Sequence, residues 1–245
     1  MAIIDNHKQV KIDKAFSDKH VEMFAFFDSK GIDVEVSDNF KDFQHFLTHL
    51  SPDDYPYRYD ISFNDDNLDL RDDTYANNAF ALYLKKDNKI IATYAAKELG
   101  FSYFVNDFIE FTSDEKAEIR NEKAEISKDF SKKMFDEKGT HMYSSCQWVS
   151  KDHRGKRFGM ILDHLKKNIC FDIFKADINY AIHKSQFADY HIKGLHYDES
   201  KYLATIPNGD VGGAGEKKDK VYNFTWVTKE SWANKLNDVR KLYIR

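Results

Sequence analysis

Cys146-Gln147-Trp148-Val149-Ser150-Lys151-Asp152-His153-Arg154-Gly155-Lys156-Arg157-Phe158-Gly159 runs from an apolar, aromatic segment through a basic glycine turn into a helical pattern. Upstream, residues 142–149 have the apolar and aromatic content of a strand. Downstream, Phe158, Ile161, Leu162, Leu165 and Ile169 fall on one face of a helix over residues 158–171. The first N–H groups of such a helix have no partner within it and lie at the positive end of its dipole, so phosphate oxygens are natural ligands there. Gly155 and Gly159 let backbone approach a bulky ligand, and Arg154, Lys156 and Arg157 add positive charge. The Gly-Lys-Ser/Thr ending of a Walker motif is missing. Taken alone, the segment is equally compatible with an ordinary turn bearing solvated basic residues.

Outward from the turn, the pattern is mixed. Residues 17–30 read as a helix with Gly31 as its stop, 33–36 as a short strand, and 38–50 as a second helix ended by Ser51-Pro52. Residues 79–85 and 89–98 read as an antiparallel hairpin across Lys86-Asp87-Asn88. A helix is expected over 112–138, opened by a capping box of Thr112 and Glu115 and carrying a narrow stripe of Ile119, Ile126, Phe130 and Met134. That stripe packs on its own domain, or else serves a homodimer or a substrate lid. Further elements are a strand over 176–182, a helix over 184–192, strands over 202–206 and 221–227, and a terminal helix over 230–242. Without βαβ regularity at the front, this mixed α and β order argues against a doubly wound parallel sheet. The expected organisation is an N-terminal helical extension over 1–32, followed by one domain over 33–245 with a helical insertion at about 101–139.

The chain has 245 residues, of which 42% are hydrophobic and 15% aromatic, enough for a ring-rich core. A net charge of −4 leaves no general electrostatic footprint for nucleic acid. Two cysteines make no disulfide framework. Residues 1–16 have no apolar core of a signal peptide, and no run approaches the length of a membrane span. These features point to a cytoplasmic protein without nucleic-acid or membrane partners.

Residues 154–159 resemble motif A of the GNAT N-acetyltransferase superfamily, whose pattern is Gln/Arg-x-x-Gly-x-Gly/Ala. Arg154 takes the first position and Gly159 the last, while Arg157 stands where the middle glycine is usual. Tyr190-His191-Ile192-Lys193-Gly194-Leu195 is similar to the family's Tyr-x-Lys-x-Gly-Phe segment, with the lysine displaced by one. His183 and Gln186 stand where Asn and Ala are usual. The resemblance covers roughly residues 33–228 and extends to the order of the elements.

The resemblance implies an α+β fold with a mixed, mostly antiparallel central sheet flanked by helices, and an acetyl-CoA-dependent N-acetyltransferase acting by direct attack, with no metal. Arg154, Gly155, Lys156, Arg157, Phe158 and Gly159 would hold the cofactor's pyrophosphate. The strand end at Trp148 and Val149 would meet the thioester through a backbone N–H. Tyr190 is the implied general acid. Candidates for the base are Glu98 at a strand end and His141 or Tyr143 on the strand before the turn. A water chain would serve if the amine binds already neutral. The acceptor would be a small-molecule or peptide amine, and the Asp-rich 52–77 segment favours a cationic one. The alternatives are a non-catalytic acyl-CoA-binding or interaction module, and a longer-chain acyl or aminoacyl transferase of the same fold. His45 and His49 read as a solvated helix face, Cys146 as a small apolar strand residue, and Trp148, Trp226 and Trp232 as core or rim residues. The glycines of 208–215 read as a loop near the acceptor entrance.

Overall fold

The computed structural model describes residues 12–37, 40–50, 79–99, 125–126, 139–206 and 220–243. Among the described residues, thirteen α-helices and strands follow in chain order. They are α1 (Lys14–Lys19), α2 (Val21–Ser29), β1 (Asp33–Ser37), α3 (Phe40–His49), β2 (Ala79–Lys86), β3 (Lys89–Glu98), β4 (Glu125–Ile126) and β5 (His141–Val149). The others are α4 (Phe158–Asn168), β6 (Ile178–Lys184), β7 (Glu199–Ile206), β8 (Lys220–Thr228) and α5 (Lys229–Lys241).

The strands form one sheet in the order β1-β2-β3-β5-β6-β8-β7-β4. Every neighbouring pair is antiparallel except β5 and β6, which run parallel. This is the expected mixed, mostly antiparallel sheet with helices on its faces. The β2–β3 hairpin turns at Asp87 and Asn88, both with positive φ (51° and 59°), the geometry a two-residue turn needs to match strand twist.

Local chemistry sets the helix ends. Asp13 caps α1 by accepting from the Phe16 N–H at 2.8 Å. Gly31 follows α2 at φ 62°, as expected for its stop. Phe16, Met23, Phe27 and Ile32 bury in the same core as Leu82, Leu84, Ile161, Leu165 and Trp232. Residues 16–32 therefore pack onto the sheet face that carries α4. The opposite face buries Phe43, Leu47, Tyr83, Tyr143, Trp148, Tyr180 and Phe224. No described helix is long and apolar enough to cross a membrane.

Three expectations need correction. Glu125 and Ile126 are not helical; they form β4 and pair with Thr205 and Ala204 at the edge of β7. A sheet edge offers unpaired N–H and C=O groups, and here they capture a segment whose local pattern favours helix. The rest of the predicted 112–138 helix, the 52–77 segment and the 208–215 loop lie outside the described residues. The helix from Phe158 changes to a π turn over Ile169–Ile173. The predicted 184–192 helix is a 3-10 turn over Ser185–Phe187 followed by a π turn over Tyr190–Gly194.

Candidate functional site

β5 and β6 run side by side only at first. Their paired residues are His141↔Ile178, Met142↔Asn179, Tyr143↔Tyr180 and Ser144↔Ala181, and the pairing goes no further. Beyond that point β5 stays with β3, across an irregularity between Thr93 and Ala95, while β6 stays with β8. The two strands thus diverge into a wedge that opens toward their C-terminal ends. Inside its closed end, the Asn179 amide donates to the Met142 carbonyl at 2.9 Å and to Ser144 Oγ at 2.7 Å.

At the open end Ser150 donates its N–H to Ile91 O at 2.9 Å, toward β3. Alternation along a strand then turns Val149 toward the wedge. The Val149 carbonyl accepts from Arg154 Nε at 2.9 Å. By the same alternation the Val149 N–H faces the wedge. The side chain of Trp148 points to the opposite sheet face, 5.5 Å from Phe46 between ring centres, so Trp148 could contribute to the wedge only through its backbone.

The chain then makes a 3-10 turn over Lys151–His153, with Ser150 Oγ and His153 Nδ1 2.8 Å apart. Gly155 takes φ 76° in open space. Arg157 is the N-cap of α4 in the left-handed conformation, φ 66° and ψ 3°. This explains why glycine suits that position, and the side chain here is exposed. Helix α4 has no side-chain cap and no acidic residue in its first turn, and its first internal bond runs from Ile161 N–H to Arg157 O at 3.0 Å. Its start packs tightly on β5: Gln147 Nε2 donates to Gly159 O at 2.6 Å. A Cβ on Gly159 would lie 3.4 Å from both Gln147 and Val149. A helix terminus without a side-chain cap lies beside exposed Arg154, Lys156 and Arg157 and an open strand wedge, an arrangement that could hold an anionic group.

Tyr190 emerges at the same end of the sheet, six residues beyond the end of β6. It is 43% exposed, and its ring lies over Gly194, where a Cβ would come within 2.9 Å of it. Surrounding protein and the Asp163 carboxylate push its phenol up to about 12. Glu98 and His141 sit at the other end. Glu98 pairs with Met142, and Leu99 N–H donates to His141 O at 3.0 Å. At ~3.3 Å per residue along β5, His141 lies roughly 26 Å from Val149, and Glu98, beside Met142, roughly 23 Å. The fold does not bring them to the turn. Tyr143 is buried on the face of Trp148, 5.2 Å from Tyr180 between ring centres. His49 Nδ1 lies 2.6 Å from His45 O on an exposed helix face. Among the described residues no three metal-ligating side chains converge.

Under α4 lies a cluster that no sequence motif marks. Asp163, Lys166 and Lys167 are fully buried there. Burial alone would raise the Asp163 carboxyl, but Lys166 and Lys167 outweigh it and hold it well below the carboxylate range. Burial pushes the Lys167 ammonium down to about 7 against the pull of Asp163. The i, i+3 and i, i+4 spacing of these three was visible, but such spacing usually marks a solvated helix face.

No family model matches the sequence, and no curated protein matches it. Among solved structures, a spermidine N-acetyltransferase from Vibrio cholerae in complex with CoA and spermine is similar over 84% of this chain and 99% of its own, at 8% identity and a TM-score of 0.48. A second, a spermidine/spermine N-acetyltransferase from the same organism in complex with manganese ions, is similar over 84% of this chain and 97% of its own, at 11% identity and a TM-score of 0.46. Identities this low assign no residue role.

Proposed function

We propose that the chain is an N-acyltransferase that moves an acetyl group from acetyl-CoA to a primary amine by direct attack. The observation that carries this reading is the β5–β6 wedge, which opens beside the bare N-terminus of α4. Bound acetyl-CoA would supply the activated acyl group. The amides at the start of α4, with Arg154, Lys156 and Arg157, would bind its pyrophosphate. The Val149 N–H would donate to the thioester oxygen as it gains charge. Tyr190, whose phenol stays protonated through the neutral range, would give its proton to the leaving thiolate. Glu98 and His141, at the far end of β5, could take the amine proton only through a relay of water; an amine that arrives neutral needs no base before attack, and the proton it sheds on forming the amide would return to the Tyr190 phenolate or pass to water.

Calorimetry with acetyl-CoA tests binding. Wild type is expected to bind, and an Arg154→Ala, Arg157→Ala double variant to bind roughly tenfold or more weakly, since charge-assisted phosphate contacts contribute ~1.5–3 kcal/mol each. Unchanged affinity in the double variant defeats the assignment of the turn. Thiol release across a library of amines then separates a catalyst from a non-catalytic acyl-CoA-binding module. Tyr190→Phe should keep binding while losing release, and unchanged turnover would take Tyr190 out of the mechanism.

A further inference from the structure

The buried lysines of α4 spend their hydrogen bonds in a particular place. Lys167 Nζ donates to the carbonyl of Leu195 and to Asp163 Oδ2, the latter at 2.6 Å. Lys166 Nζ donates to Tyr197 OH at 2.9 Å and to Asn179 Oδ1 at 2.8 Å. Leu195 and Tyr197 are the residues that close the Tyr190 turn. The Leu195 N–H donates to Tyr190 O at 3.0 Å, and the Tyr197 N–H donates to His191 O at 3.1 Å. Each lysine therefore grips one closing residue of the turn. The grip is dry: Lys166 and Lys167 have no exposure, and Lys167 also lies 3.6 Å from the centre of the Tyr197 ring.

Such an arrangement is costly as packing alone. Well-packed apolar side chains of similar volume stabilise a core as well as buried ion pairs do, or better. An ammonium bonded to a carbonyl, by contrast, fixes direction, and a fixed direction is what a proton donor on a short turn needs. Asn179 extends the same network to Met142 and Ser144 at the closed end of the wedge. The far end of α4 is the start of the cofactor turn. One rigid helix thus touches the pyrophosphate seat, the wedge and the Tyr190 turn.

We infer that Lys166 and Lys167 are positioning residues that latch the Tyr190 turn to the helix bearing the cofactor turn, so that an occupied helix end and the candidate acid are coupled. This rests on the acyltransferase reading above. Neither lysine touches substrate; both act through Leu195, Tyr197 and so Tyr190.

The test places 3-fluorotyrosine at position 190 and follows its fluorine resonance while ADP, which carries the pyrophosphate but no pantetheine arm to reach Tyr190, is added to the full chain. In wild type the resonance is expected to move with occupancy. In Lys167→Met the movement should be lost, the KM for acetyl-CoA should stay within about threefold, and kcat should fall roughly tenfold or more, because a small misplacement of a reacting group alone has that effect. Val239→Ala, a truncation in the same core, should keep the fluorine response, which separates latching from mere loss of stability. Bound ADP with a silent resonance in wild type overturns the latch and leaves the binding site standing. Retained kcat in Lys167→Met, or binding and turnover that fall together, also overturns it. If wild type binds no ADP, the pyrophosphate seat of the functional reading fails first and the latch with it. If Lys167→Met does not fold, the wild-type titration decides.

Discussion

At Arg157 a bulky side chain holds a backbone conformation that suits glycine, φ 66° and ψ 3°. For a residue with a Cβ this conformation costs roughly 1–2 kcal/mol. The sequence shows the substitution but not its geometry, because a motif states which residue is usual and leaves the dihedral angle that requires it unstated. The charge of Arg157 beside an uncapped helix end offers a compensation, favourable only when an anion is bound. Arg157→Gly is therefore expected to raise stability by about 1 kcal/mol and to weaken coenzyme A binding, most clearly at low salt. Urea unfolding and calorimetry at two ionic strengths measure both effects. A gain in stability with unchanged affinity would mean that Arg157 serves no ligand.

Among elements, the wedge matters most, and its apex is stapled by one side chain. Asn179 donates to β5 twice and accepts from Lys166, all within the core. Asn179→Ala leaves Lys166 and Ser144 short of buried partners, so a loss of about 1–3 kcal/mol is expected by urea unfolding. A loss within ±0.5 kcal/mol, the ordinary range for surface sites, would mean that the apex is held by the backbone ladder alone. The strand and helix that frame the turn were legible in the sequence, because the apolar and aromatic content of 142–149 and the helical face from Phe158 are local signals. The parallel pairing of β5 with β6, and its end at Ser144, were not: pairing is non-local and leaves no trace in either strand. Glu125 and Ile126 mark the same limit from the other side, since a partner distant in sequence overrode a helical pattern. The placement of Glu98 and His141 far from the turn follows from register as well, which composition cannot reveal.

For the whole molecule, the buried ionisable groups shift the pH of greatest stability upward. His164 and His191 are held below the usual imidazole range, first by burial, His191 at about 3. Below pH ~6.5 the unfolded chain takes up protons that the folded chain refuses, so stability falls as pH falls. Lys167 acts in the same direction in a higher window. With a folded value of about 7 against an ordinary one of 10.5, the unfolded chain binds the extra proton between these two values. Stability therefore rises as pH climbs through that window, and the penalty is complete below 7. The phenols of Tyr94 and Tyr197, raised first by burial, end the rise. Above pH ~10 the unfolded chain releases those protons while the folded chain keeps them, so stability declines again. Urea unfolding across pH 5–11 is thus expected to show a maximum near pH ~9, outside the usual ~5–8. Lys167→Met should flatten the rise between pH ~7 and ~10 and leave the acid limb in place. A maximum that stays near neutrality in wild type, or a slope that survives in the variant, would show that Lys167 keeps its proton when buried, with Asp163 supplying the whole of its compensation.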